Sequence, residues 1–231
     1  MLKTKAWSVF KWVFITLSLA DVIALNFSAE IYDFHMILKP LIMASAICFL
    51  VRFLNHIRFY KTMLLAFLLA WLGDILLLGQ TIDELFFVGG LAAFLLSHIA
   101  YIYYFKKSAF RKTPSYRGIT VLQLAIVIIA ASLYFLMYTN LDELWVPVLL
   151  YVVTIAIMGV TALGRYARVN MDAFSYTVIG AFVFILSDSI IGYNKFVHEI
   201  PFADSLIMIF YCTAQYMILK GFVVLESDKL R

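Results

Sequence analysis

Eight stretches of roughly twenty residues, each nearly free of charge, follow one another along this chain, and each is long enough to cross a bilayer as a helix. They cover about residues 6–26, 35–54, 63–78, 85–105, 119–138, 144–163, 173–193 and 201–225. A backbone in lipid must satisfy its polar groups within itself, so apolar runs of this length read as helices. The chain is 65% hydrophobic and 14% charged, whereas a soluble domain is about 25% charged. No polar stretch is long enough to fold separately. The sequence therefore predicts an all-α polytopic membrane protein, one domain over 1–231, with the bacterial inner membrane as its expected location.

The loops alternate in charge. Basic ones follow the second, fourth and sixth stretches: Arg52, Arg58 and Lys61; then Lys106, Lys107, Arg111, Lys112 and Arg117, broken by Pro114 and Gly118; then Arg165 and Arg168. Glu30 and Asp33, Asp83 and Glu84, and Asp142 and Glu143 follow the first, third and fifth stretches, while Lys195 and Glu199 make a mixed loop after the seventh. Both termini are basic, the tail through Lys229 and Arg231. The positive-inside rule then places both ends in the cytoplasm. The first stretch is expected to be retained rather than cleaved, because Lys11 interrupts it and no small-x-small site follows. The net charge of +4 is a topology signal in alternate loops, not a nucleic-acid surface. Cys48 and Cys212 sit inside apolar runs, with neither metal-ligand nor disulfide spacing.

The two halves resemble each other in outline, which predicts two parallel four-helix repeats, about 6–105 and 117–225. Pro40 and Pro147 open the second helix of each half, after Lys39 in the first. Asp74 and Asp188 fall late in the third helix, and Ser97-His98 and Ala214-Gln215 mid-way along the fourth. Gly89, Ala93 and Ser97 form a stripe suited to close helix contact. A pseudo-twofold axis along the membrane normal would turn both carboxyls toward one cavity.

Charged groups at membrane depth are costly unless paired or wetted, and they mark function. The polar groups here are Asp21, Lys39, Asp74, His98, Gln123, Asp188, Asn194 and Gln215. Asp21 and Lys39 can pair near the outer interface, and Gln123 can bridge helices. His35, His56 and His198 fall in or near loops, which leaves His98 alone at depth and argues against a three-histidine zinc site; no metal or other cofactor is expected. Two carboxyls at matching depth are harder to explain by packing. Low dielectric favours the protonated carboxyl, and a neighbouring carboxylate favours it further. One member can then stay protonated while the other is ionised, an acid and a base in one pocket, able to hydrolyse an acid-labile bond.

The order and spacing of several short pieces across residues 39–218 resemble the YhhN family of eight-helix membrane proteins, which includes lysoplasmalogenases. The pieces are Lys39-Pro40, Leu72-Gly73-Asp74 with Leu76-Leu77, Phe87 to Gly90, Ser97 to Tyr101, Leu186-Ser187-Asp188 with Asn194 to Phe196, and Ala214-Gln215. The resemblance implies hydrolysis of the vinyl ether of a lysoplasmalogen to a fatty aldehyde and a glycerophospho-ethanolamine or -choline. It also implies Asp74 and Asp188 as the catalytic pair. On that reading the partners are a single-chain lysophospholipid and the bilayer. Lys39, with Asp21 nearby, would meet the phosphate, and His98, Tyr101, Asn194, Tyr211 and Gln215 would orient carboxyls or water. Three rivals remain. An intramembrane aspartyl protease lacks its first motif glycine, since Trp71 stands there. A proton-coupled lipid or small-molecule transporter suits repeats and buried carboxyls. A non-catalytic scaffold would tolerate replacement of both aspartates.

Overall fold

A computed structural model of the chain describes residues 4–26, 29–109 and 116–228, with 4, 29–33, 227 and 228 described by backbone alone. It is all-α. The helices are α1 (Thr4–Asn26), α2 (Ala29–Phe53), α3 (Tyr60–Leu78), α4 (Glu84–Ser108), α5 (Arg117–Tyr138), α6 (Trp145–Leu163), α7 (Met171–Phe196) and α8 (Ala203–Asp228), with a 3-10 turn, Asp142–Leu144, ahead of α6. All eight helices among the described residues are long and apolar enough to cross a membrane. The chain is an integral multi-pass membrane protein. Its outward side chains are apolar, as on α5, where Val121, Leu122, Leu124, Ile128 and Ile129 are all exposed.

Several boundaries differ from those expected. Helix α2 starts at Ala29 rather than near His35, so Glu30 and Asp33 belong to a helix and not a loop; their side chains lie outside the described residues, as do Arg111, Lys112, Pro114, Lys229 and Arg231. His35 is accordingly a buried helical residue. Pro40 sits in the interior of α2, whereas Pro147 occupies the first turn of α6, where a missing N–H is harmless. The two prolines thus do different jobs. The indole N–H of Trp71 on α3 donates to the Pro40 carbonyl at 2.9 Å, tying the interrupted helix to its neighbour. Helix α7 runs on to Phe196, which takes Asn194 and Lys195 into its last turn.

The chain forms two compact units, residues 1–100 and 101–231, divided within α4. In the first, α2 packs on α1 and on α3. Phe10 of α1 stacks on Phe49 of α2 at 4.6 Å between ring centroids. Helices α3 and α4 meet through Ser97, whose hydroxyl donates to the Ala66 carbonyl at 2.8 Å, and through Gly73, where a Cβ would lie 2.7 Å from the Phe94 ring.

In the second unit α7 and α8 form the closest pair. Their antiparallel register is readable from three contacts. Ser187 donates to the Ile207 carbonyl at 3.0 Å, Phe184 meets Tyr211 edge-on at 5.6 Å, and Gly180 faces Ala214 and Ile218. Further along, Gly221 lies against Thr177 so tightly that a Cβ would come within 2.5 Å of its hydroxyl. Small residues let the backbones approach, which is how helices associate where the hydrophobic effect gives no net drive. Helix α6 joins α5 and α7, and Gln123 bridges α5 to α6 by donating to the Val160 carbonyl at 2.9 Å.

Candidate active site

Asp74 lies four residues before the end of α3 and is 1% exposed. Gly73 beside it lets α4 come close, and Trp71 one turn earlier anchors α3 to α2. Asp188 lies eight residues before the end of α7 and is half-buried. Asp74 belongs to the first unit and Asp188 to the second.

Asp188 has a prepared partner. The Tyr151 hydroxyl on α6 donates to its Oδ2 at 2.5 Å. The phenol is buried. Such a bond fixes the plane of the carboxyl. Tyr151 was not among the candidate residues of the sequence. Depth could have revealed it: Tyr151 is six residues into α6 and Asp188 eight from the end of α7, about 9 and 12 Å from the two helix ends opposite the α6–α7 connection.

The same count exposes a second pair. Asp21 is five residues from the end of α1 and His35 six into α2. Their side chains meet, Nδ1 to Oδ1, at 2.7 Å, with Asp21 fully buried and its Oδ2 without a hydrogen-bond partner. Asp21 therefore pairs with His35 and not with Lys39 as expected from the sequence; Lys39 is half-buried beside Pro40. A helical histidine one loop away reaches the carboxyl at the same level.

The remaining candidates separate by position. His98 is fully buried on α4, next to Ser97, which holds the Ala66 carbonyl. Tyr101 donates to Gln215 Oε1 at 2.6 Å; both are fully buried, and Gln215 Nε2 has no hydrogen-bond partner among the described residues. Phe184 links this pair toward Asp188: it lies 6.4 Å from Tyr101 and 5.6 Å from Tyr211, one turn before the carboxyl on α7. By the α7–α8 register Gln215 is level with Gly180, about 12 Å along the helix from Asp188. The Tyr101–Gln215 pair is thus suited to hold something other than the Asp188 carboxyl. Asn194 has a local task, accepting from the Ile200 N–H at 2.7 Å to shape the exit of α7. Among the described residues no three His, Cys, Asp or Glu side chains gather as a metal site would require.

The profile of the YhhN family matches residues 34–222. A Mycobacterium bovis protein named lysoplasmalogenase is 34% identical over 162 residues, 66% of this chain and 60% of its own length. A Bos taurus protein named lysoplasmalogenase TMEM86A is 33% identical over 152 residues, 64% of this chain and 59% of its own. Its Homo sapiens counterpart is 32% identical over 153 residues, covering 63% and 58%. The chain thus spans about 60% of the length of these relatives. No solved structure matches.

Proposed function

The chain belongs to the YhhN family, and on that premise we propose that it is a lysoplasmalogenase-like membrane hydrolase that cleaves the vinyl ether of a single-chain ether phospholipid. The observation that carries this reading is the presence of two carboxyls inside apolar helices: Asp74, sealed in α3, and Asp188, oriented by Tyr151. Intramembrane acids are expensive and rarely kept without a task. The similarity to proteins named lysoplasmalogenases supports the same reaction.

The chemistry needs an acid and a base and nothing covalent. One carboxyl gives its proton to the alkene carbon remote from the ether oxygen, and the π pair becomes the new C–H bond. The carbon attached to oxygen is left as an oxocarbenium ion, which a carboxylate stabilises. Water adds there while the carboxylate takes its proton, giving a hemiacetal. The hemiacetal O–H proton passes to the glycerol oxygen as the C–O bond breaks, its electron pair going to that oxygen, which releases a fatty aldehyde and a glycerophospho-alcohol. One water is consumed, and the two carboxyls exchange protonation states.

The supporting cast follows. Tyr151 positions Asp188. The unmatched amide N–H of Gln215, held by Tyr101, is a ready donor for a substrate oxygen or a water. Lys39 is the cation for the phosphate, and His98 and Tyr211 complete the polar and aromatic lining. The alternation of basic and acidic loops supports cytoplasmic ends, and the recurrence of Asp74 and Asp188 late in the third helix of each half supports two parallel four-helix halves. The test is product analysis. Purified protein given matched lysolipids with a vinyl ether, an alkyl ether or an ester is expected to release aldehyde from the first alone. Fatty acid from the ester, with no aldehyde from the vinyl ether, would make it a different lipase.

A further inference from the structure

Unit two contains a second polar locus, far from Asp188. Arg165 follows α6 in a turn, yet its side chain is fully buried. Its Nη1 donates to Thr177 Oγ1 at 3.1 Å, and Thr177 in turn donates to the Ala173 carbonyl. The guanidinium carbon stands 5.2 Å from the ring centroid of Tyr104 and 5.3 Å from that of Phe105. Among the described residues its Nε and Nη2 have no hydrogen-bond partner of good geometry, although the Tyr104 hydroxyl is close enough to interact with the guanidinium. Glu226 is buried in the same region, where its charge acts on Tyr104. Arginine does not deprotonate in proteins, so this is a permanent buried cation. The two aromatic faces offset part of the cost.

A cavity of about 440 Å³ adjoins it, between the end of α4, the start of α5 and the end of α6. Its wall includes Arg165 with Lys106, Arg168, Gln123, Tyr116 and Tyr166. The volume falls within the range of small-ligand pockets, about 300–1,000 Å³. Tyr116 and Tyr166 meet edge-on at 5.0 Å on the rim. Among the described residues three cationic side chains and no acidic one line this space. Thr177, which marks its level on α7, is eleven residues from Asp188, about 16 Å along the helix.

We propose that this cavity binds a phosphate group of net negative charge, with Lys106 and Arg168 contacting it and Arg165 beneath them supplying a fixed positive field. A charge sealed in low dielectric is poorly screened, so it biases the cavity toward anions without touching them. Basic pockets between membrane helices suit anionic headgroups, which makes an acidic phospholipid the favoured source and a free phosphate the other.

The experiment uses full-length protein stripped of lipid in a neutral detergent, with Lys106→Gln/Arg168→Gln as the variant. Native mass spectrometry and thermal midpoint are read against dioleoyl phosphatidylglycerol, dioleoyl phosphatidylcholine and inorganic phosphate. Wild type is expected to retain phosphatidylglycerol and gain stability from it, phosphatidylcholine doing neither. The variant is expected to bind phosphatidylglycerol at least tenfold more weakly. Binding of inorganic phosphate that the variant loses, without preference between the lipids, would assign the site to a soluble phosphate. Equal retention of both lipids and of phosphate by wild type and variant would overturn the proposal. The variant changes two rim side chains, so its thermal midpoint without ligand also reports whether the fold is intact.

Discussion

Tyr151→Phe removes one oxygen atom and leaves the ring in place, which makes it the sharpest perturbation of the proposed site. The phenol is buried, and its hydroxyl is committed to Asp188 Oδ2 at 2.5 Å. With Asp188 as the ionised member of the proposed pair, this hydrogen bond contributes about 1.5–3 kcal/mol. If the bond is felt fully in the transition state, each 1.36 kcal/mol or so is a factor of about ten in rate. The expected loss in kcat/KM is therefore roughly 10- to 150-fold, carried by kcat, because the bond orients a reacting carboxyl rather than the lipid. The assay is aldehyde release from a vinyl-ether lysolipid in detergent, with the thermal midpoint as a control for folding. Tyr151→Leu, which also empties the ring volume, is expected to lose stability as well. A folded Tyr151→Phe protein with kcat within twofold of wild type would refute the role of Tyr151 and weaken the case for Asp188.

Two stability predictions follow from the helix contacts. Gly221→Ala places a methyl 2.5 Å from Thr177 Oγ1 and 3.1 Å from the Thr177 backbone nitrogen, so α7 and α8 must part; a cost of about 1–3 kcal/mol is expected in a denaturation series. Gly118→Ala, with nothing within 4 Å, is the matched control and is expected to be neutral or slightly stabilising. His35→Ala strands the buried Asp21 carboxyl and is expected to cost about 3–5 kcal/mol, whereas His35→Ala with Asp21→Leu recovers most of that loss. Equal midpoints for the single and double variants would show that the pair is not coupled.

The helices were legible because lipid demands a long apolar run with few exceptions, and all but α2 fall within a turn of the expected bounds. Where α2 and α7 overran, the extra turns carry polar residues that hydropathy assigns to loops, including Glu30, Asp33 and Asn194. Asp74, Asp188 and His98 stood out because an ionisable group inside such a run has no ordinary explanation. Their partners did not. Tyr151 is an unremarkable tyrosine in a chain with fourteen, and only depth counting along the antiparallel α6 and α7 singles it out. His35 was hidden by the loop boundary drawn through it. Arg165 read as a loop cation because charge near a helix end implies solvent, while its burial arises from tertiary contacts with Thr177, Tyr104 and Phe105. Gln123 was legible as an interhelical bridge from its type and place alone.

The central claim is that a carboxyl delivers a proton to carbon, and deuterium reads this directly. Hydrolysis of a vinyl-ether lysolipid in D₂O, with the aldehyde reduced at once and weighed, is predicted to give a product with one deuterium on the carbon next to the former carbonyl. Wild type should form it, and correctly inserted Asp74→Asn and Asp188→Asn proteins should not. Aldehyde lacking that deuterium, or undiminished aldehyde from either variant, would contradict the mechanism.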